Sequence, residues 1–267
     1  MQSLMKFATA LARDAGALIV KERNKNELNF QFKSGNELVT NADLQADRLI
    51  CERIIDQFPQ HLIISEESSP NLGRVQDLTA PVWIIDPIDG TVNYAHGLNQ
   101  SAISIAYVEN QRVQCGVVFN PFTNELFSAE AGKGAFLNRA PIRVATEIDL
   151  KRAIIATGFP YDKSAIAPMI GRLQAVLSQC ADIRRLGSAA LDICFVAMGR
   201  LDGYYESLSV WDFAAARLIA TEAGAQCGHF STVPEGVDEQ FYEQDILIAN
   251  PVLYSQLLAL LRSADKT

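Results

Sequence analysis

Leu4, Phe7, Leu11, Ala15 and Leu18 recur at spacings of three and four, with Lys6, Arg13, Asp14 and Lys21 elsewhere on the wheel. This pattern predicts an amphipathic helix, with Ser3 placed to cap it. A second helix starts at Thr40 or Asn41 and turns Ile50, Ile54, Ile55 and Phe58 inward until Pro59 stops it. Between the two, Phe30 and Phe32 alternate with Gln31 and Lys33, which predicts a short strand or hairpin arm. From residue 61 the period changes. Leu62–Ser65 and Val82–Ile85 are short apolar, β-branched runs ended by acidic or proline-containing turns, as buried strands are. Ala102–Val108 and Arg112–Phe119 predict two strands joined at Asn110-Gln111, with Ile103, Ile105 and Tyr107 alternating against Ser104 and Ala106. Asn120-Pro121 leads into a strand at Glu125–Ala129, and Gly132 and Gly134 mark a further tight turn.

The second half alternates strand and helix. Strands are expected at Ala153–Thr157, Leu201–Glu206, Ala225–Phe230 and Ile246–Ala249, and helices at Ile166–Leu177, Gly187–Met198 and Trp211–Glu222. Gly224 ends the third of these helices, and a last one opens with Pro251 at its first position. There is no internal repeat and no low-complexity linker. The pattern predicts a layered α/β fold with helices covering two mixed sheets, as one domain over 1–267 with a lobe boundary near residue 148.

Composition narrows the chemistry. The 267 residues are 49% apolar and 20% charged, ordinary for a folded enzyme, with a net charge of −8 and no Lys/Arg block. Duplex nucleic acid is therefore not an expected direct ligand, and an acidic chain that takes an anionic substrate needs bound cations. The five cysteines (51, 115, 180, 194 and 227) form no CxxC pair; Cys51, Cys180 and Cys194 fall in helical stretches, and all read as small apolar residues in a reducing compartment. No apolar run approaches the ~18 residues of a membrane span and the N-terminus does not read as a signal peptide, so the cytoplasm is the expected location.

Chemistry concentrates at Trp83-Ile84-Ile85-Asp86-Pro87-Ile88-Asp89-Gly90-Thr91. A buried strand delivers Asp86 at its carboxyl end, Pro87 stiffens the turn, and Gly90 clears the backbone. Two carboxylates three residues apart, with the Ile88 carbonyl between them, can converge on a hard cation such as Mg²⁺. The alternative is that both aspartates serve only the turn. Glu66 and Glu67 end the Leu62–Ser65 run, so one of them can face the Asp86 turn; otherwise they are solvated charge. Asp212 is either a further ligand or a residue that complements its helix dipole. Gly187-Ser188-Ala189, after Arg184 and Arg185, is either an anion-binding helix start or an ordinary serine cap. His61, His96 and His229 show no ligand or triad spacing and read as surface or loop residues. No G-x-S-x-G is present.

Three ordered motifs carry a family resemblance: Ile64-Ser65-Glu66-Glu67-Ser68, Trp83 through Tyr94, which fits D-P-[IL]-D-G-T-x-N-[FY], and Trp211-Asp212-Phe213-Ala214-Ala215 leading to Glu222-Ala223-Gly224-Ala225. With Gly187-Ser188-Ala189-Ala190 and Asp202-Gly203-Tyr204-Tyr205-Glu206 between them, the chain resembles the inositol monophosphatase family over nearly its whole length. The resemblance implies an α-β-α-β-α sandwich of the inositol monophosphatase/fructose bisphosphatase type and Mg²⁺-dependent hydrolysis of a small phosphorylated polyol or sugar, myo-inositol monophosphate first. It implies two Mg²⁺, with a third, weaker site involving Glu66. Glu66, Asp86 and the Ile88 carbonyl would hold one ion, and Asp86, Asp89 and Asp212 the second. Thr91 with Glu66 would orient the attacking water, and the Gly90 and Thr91 backbone would contact phosphate. Gly187, Ser188, Ala189, Glu206 and Asp212 would contact the alcohol, with Arg184 at its edge. Lys33 and Asp43 fall where the family has a mobile basic–acidic segment. Inhibition by Li⁺, a homodimer, and for some bacterial relatives a contact with RNA polymerase or a transcription factor are further implications.

One departure stands out. Asp212 follows Glu206 by six positions where the family pattern has seven, so the Ser207–Val210 loop beside the alcohol pocket is one residue short. Fructose 1,6-bisphosphate and adenosine 3′,5′-bisphosphate are the alternative substrates, and Asn93 favours the inositol-type branch. An aspartyl-nucleophile phosphatase of the haloacid dehalogenase type would need Asp where Pro87 stands.

Overall fold

The computed structural model describes residues 4–25, 30–32, 38–69, 75–159 and 166–265, so Ser3 and Lys33 lie outside the described residues. The first helix, α1, runs Leu4–Arg23 and buries Ala8, Leu11, Ala12, Ala15 and Ile19. After a short antiparallel pair, β1 (Phe30–Phe32) and β2 (Leu38–Thr40), helix α2 covers Asn41–Gln57. Thr40 caps it, and Asp43 at its third position accepts the Thr40 N–H, a reciprocal capping box. The inward line is Ala42, Ala46, Ile50 and Ile54. Ile55, expected inside, is 55% exposed: it sits one residue, or about 100°, round the wheel from the buried stripe.

Seven strands form the larger sheet, in the order β3-β4-β5-β6-β7-β8-β9. They are β3 (Leu62–Ser65), β4 (Val82–Asp89), β5 (Ala102–Glu109), β6 (Arg112–Asn120), β7 (Glu125–Glu130), β8 (Ala135–Leu137) and β9 (Ala140–Pro141). Only β3 and β4 pair in parallel. Asn110 and Gln111, both at positive φ (54° and 60°), make the two-residue turn between β5 and β6. The short helix α3 (Thr91–Ala95) follows β4.

The second sheet has the order β11-β10-β12-β14-β13, built from β10 (Ile154–Thr157), β11 (Asp182–Arg184), β12 (Gly203–Glu206), β13 (Gln226–His229) and β14 (Ile246–Ala249). β10, β11 and β12 are parallel, while β13 and β14 run against their neighbours. Helices α4 (Ile166–Leu177), α5 (Ala189–Ala197), α6 (Val210–Glu222) and α7 (Pro251–Ala264) complete the chain. Cys180 lies beyond the end of α4, not in a helix, and all five cysteines are free. His229 is not a loop residue. It is buried in β13, where its ring bonds the carbonyls of Gln244 (2.7 Å) and Glu239 (2.9 Å).

The period-2 alternation of the strands sorts these elements into five layers. On β4, Trp83 and Ile85 face α1 and α2, while Val82 and Ile84 face the middle layer of α5 and α6. On β12 and β14, Tyr204, Ile246 and Ile248 join that middle layer, whereas Tyr205, Leu247 and Ala249 turn outward to α7. The order is α-β-α-β-α. Because both sheets are covered on both faces, β4 and β5 are buried along nearly their full length, including Ser104 and Ala106. The middle layer fixes the site. Helix α6 lies directly on β6, where a Cβ at Gly116 would stand 2.7 Å from the Ala215 carbonyl, and the Ser104 hydroxyl bonds the Trp211 carbonyl at 3.2 Å. Among the described residues no helix is long and apolar enough to cross a membrane.

Candidate active site

Strand β4 does not stop at Ile85, as its apolar run suggests, but continues to Asp89 with a register irregularity between Asp86 and Asp89. Such an irregularity re-aims side chains, and here it lets two carboxylates three residues apart share one side of the strand end. Asp86 Oδ1 accepts the Ile88 N–H at 3.0 Å, which folds the Asp86-Pro87-Ile88 corner back on itself. Gly90 then takes φ 89°, and a Cβ there would meet the Gln100 carbonyl at 2.7 Å and the Gly187 carbonyl at 3.0 Å. Only glycine fits this crossing of the two halves of the chain.

The N-termini of α5 and α6 converge on this corner. Ser188 caps α5, and its hydroxyl donates to Asp89 Oδ2, which also accepts the Ala190 N–H at 2.8 Å; Asp89 Oδ1 accepts the Ala189 N–H at 3.2 Å. Both sequence readings of Gly187-Ser188-Ala189 thus meet in one arrangement. Ser188 is the cap, and the anion at the helix start is the Asp89 carboxylate. Asn93 braces the same junction, donating to the Gln100 and Leu186 carbonyls at 2.7 Å each. Asp212 stands at the third position of α6 and accepts the Ser209 N–H at 2.9 Å, so it does serve its helix as well.

Asp86, Asp89 and Asp212 each place a carboxylate oxygen within 4.8 Å of the others'. Among the described residues no Lys or Arg pairs with any of them. Burial, then the charges of Glu66, Asp89 and Asp212, pushes the Asp86 carboxyl well above the ordinary carboxylate range. Burial, followed by Asp89 and Glu66, does the same to Asp212. Asp89 is raised by burial to about 6, its rise opposed by the Ser188, Ala190 and Ala189 hydrogen bonds. Three crowded carboxylates in a low-dielectric pocket repel one another, and a divalent cation would discharge that repulsion. The donor set is all oxygen, as a hard ion such as Mg²⁺ prefers, so the residues present fit the group the sequence implied.

A cavity of about 400 Å³ opens on this cluster, lined by Glu66, Asp86, Ile88, Asp89, Gly90, Thr91 and Asp212, with Glu206 and Ser207–Ser209 on its far side. The Thr91 hydroxyl lies 3.1 Å from Asp43 Oδ1 and 3.0 Å from the Ile88 carbonyl, its single proton shared between two acceptors. Asp43, at the third position of α2, is fully buried beneath Thr91. The short Ser207–Val210 loop is pinned from one side: Leu208 N–H bonds the Glu243 carbonyl and Val210 N–H bonds Glu243 Oε1, both at 2.8 Å.

A second, smaller cavity of about 150 Å³ shares Asp89, Gly90, Glu206 and Asp212 with the first and adds Gly187, Ser188 and Ala189. Burial pushes Glu206 up to about 7, opposed by the Tyr204 hydroxyl that donates to it. Gly158 packs so closely that a Cβ there would overlap the Glu206 carboxylate. Arg184 does not line either cavity. As the last residue of β11 it turns its guanidinium to Asp182, 2.5 Å away, and the next residue, Arg185, lines the smaller cavity with its guanidinium 5.4 Å from the Phe159 ring. Sequence reading also passed over Asp192 and Phe159. The one signal for Asp192 was a charged residue inside the apolar run of α5.

Comparison with known proteins agrees with this geometry. The chain matches the inositol monophosphatase family over residues 1–266. It is 39% identical over 265 residues to the protein named Nus factor SuhB of Escherichia coli, covering 98% of this chain and 97% of that one. With the Nus factor SuhB of Pasteurella multocida it shares 41% over 227 residues, 84% of each. Among solved structures, the extragenic suppressor protein SuhB of Bartonella henselae superposes with a TM-score of 0.87 at 31% identity, covering 98% of this chain and 99% of that one. The inositol monophosphatase of Anabaena gives 0.83 at 34%, covering 97% and 95%. Sequence, topology and the acidic corner together show that the chain belongs to the inositol monophosphatase family.

Proposed function

We propose that the protein is a Mg²⁺-dependent phosphatase that hydrolyses a small phosphate monoester, with myo-inositol monophosphate the first substrate to test. The observation that carries this reading is the meeting of Asp86, Asp89 and Asp212 within 4.8 Å at the wall of a 400 Å³ cavity. Glu66, Asp86, the Ile88 carbonyl, Asp89 and Asp212 would hold two ions, with a third, weaker site at Glu66. Bound there, Mg²⁺ would neutralise phosphate charge and make both the attacking water and the leaving oxygen better suited to an in-line displacement.

The chain's own groups do the rest. The Ser188, Ala189 and Ala190 donors hold Asp89 in one orientation. Thr91 Oγ1, already tied to Asp43, receives the proton of the attacking water and passes its own to Asp43, with Glu66 helping to position that water. The Gly90 and Thr91 backbone faces the phosphate. Gly187, Ser188, Ala189, Glu206 and Asp212 form the wall against which the alcohol rests. Attack is by water, with no phosphoenzyme. The site is cytoplasmic and the assembly a homodimer on this reading, and Li⁺ inhibits by taking a cation position.

Metal-stripped protein should release phosphate from a panel of inositol phosphates, sugar phosphates and nucleotides only when Mg²⁺ is returned. Absence of Mg²⁺-dependent release from every ester would overturn the proposal. A second role, contact with the transcription machinery, is supported by the relatives named Nus factor. A pull-down with RNA polymerase should then retain Asp89→Asn as well as wild type, although that variant has lost hydrolysis; capture of neither removes this role.

A further inference from the structure

Asp192 is a carboxyl with nothing to hold. It lies in the first turn and a half of α5, is 2% exposed, and its Oδ1 has no hydrogen-bond partner. Among the described residues no donor reaches its side chain, in contrast to Asp43 and Asp89, each of which accepts three or more hydrogen bonds. Burying a carboxyl without a partner is costly, and a leucine, with the same branching and no polar oxygens, avoids that cost. Its place near the positive end of α5 offsets little of this, because that benefit does not require burial.

Asp192 lines the 150 Å³ cavity, as does Glu206, which already accepts from Tyr204. The cavity's one cation among its lining residues is Arg185, whose guanidinium makes no ion pair with Asp192 and rests over Phe159. Burial, then the nearby charges of Asp89 and Glu206, pushes the Asp192 carboxyl above its ordinary range, and in either protonation state its oxygens can accept a hydrogen bond from a hydroxyl. A wall of two carboxyls and a phenol offers oxygens that suit the hydroxyls of a neutral alcohol.

On the reading that the larger cavity is a phosphatase site, we propose that Asp192 is a specificity-determining residue that hydrogen-bonds a hydroxyl of the leaving alcohol beyond the one Glu206 takes. Esters whose alcohol carries a further free hydroxyl are therefore favoured over simple aryl esters. The stability lost to the unpartnered acid is retained for recognition.

The test compares wild type, Asp192→Leu and Asp192→Asn in Mg²⁺ on phenyl phosphate and on the fastest of a set of polyol and sugar monophosphates. In Asp192→Leu the ratio of kcat/KM for the polyol ester to that for phenyl phosphate falls about tenfold, through KM, as loss of one hydrogen bond predicts. The same variant melts higher than wild type. Asp192→Asn, which keeps a polar partner, recovers the ratio to within about threefold. A ratio within about twofold of wild type in Asp192→Leu, or a lower Tm with both esters slowed alike, overturns the assignment while leaving the phosphatase reading in place. A wild type that hydrolyses no ester overturns the phosphatase reading and this inference with it.

Discussion

Asp43 and Asp212 occupy the same local position, the third residue of a helix whose cap N–H they accept, yet their surroundings differ. Around Asp43, burial raises the carboxyl and hydrogen bonds from Thr40 and Thr91 pull it back. Around Asp212, burial is reinforced by Asp89 and Glu66, and only the Ser209 N–H opposes them. One aspartate has its charge answered by donors within the protein. The other shares its corner with like charges that an external cation must answer. Helix-capping grammar alone does not tell them apart; the tertiary neighbours do.

The sharpest break of this comparison is Asp212→Asn. Turnover should fall on the order of 10³-fold or more, because a cation ligand is lost, while the metal-free protein melts no lower than wild type. Near-normal turnover in Mg²⁺ would remove Asp212 from the cation site. Asp43→Asn should act more mildly and differently. Its side-chain oxygen can still accept the Thr40 N–H, so stability stays within about 1 kcal/mol, but without a basic carboxylate below Thr91 kcat drops about 10²-fold. Equal damage to stability and turnover would reduce Asp43 to a cap.

A third test uses pH. For a carboxyl whose folded pKa is raised, stability is fully present below the unfolded value and is lost as pH rises through the folded one. Asp89, pushed up to about 6, and Asp86 and Asp212, both raised by burial and by their neighbours' charge, therefore weaken the metal-free protein as pH climbs from about 4 toward about 8. Mg²⁺ at a hundred times its Kd should add about 2.7 kcal/mol at about pH 8, and much less at about pH 5, where protons compete for the ligands. A thermal shift equal at both pH values would contradict the cluster's role. The smallest effect is expected from Glu206→Gln, since burial pushes the Glu206 carboxyl up to about 7. The variant's stability advantage over wild type should grow across neutrality by on the order of 1 kcal/mol, read by calorimetry at both ends.

Much of the architecture could be read from periodicity, and where reading failed the cause is local. The alternation of Ile103, Ile105 and Tyr107 correctly marked β5, but it does not reveal that the opposite face, with Ser104 and Ala106, is buried as well, against α6. Strands β8 and β9 are three and two residues long, too short to carry a period. The Asp86–Gly90 corner was legible because a long apolar run ends in D-P-x-D-G, although not that β4 persists through it. Arg184 ends β11 and Arg185 lies just beyond it, and which of two adjacent arginines lines the cavity is not visible without the fold. Asp43, Asp192 and Phe159 matter through partners distant in sequence, and no window of neighbouring residues contains that information.

The most direct test is anomalous diffraction from crystals of the protein grown with Mn²⁺ in place of Mg²⁺. The account predicts at least one strong peak within bonding distance of carboxylate oxygens from Asp86, Asp89 and Asp212 together, and its disappearance in Asp212→Asn. Mn²⁺ found only elsewhere on the molecule, with these three carboxylates bare at saturating metal, would contradict it.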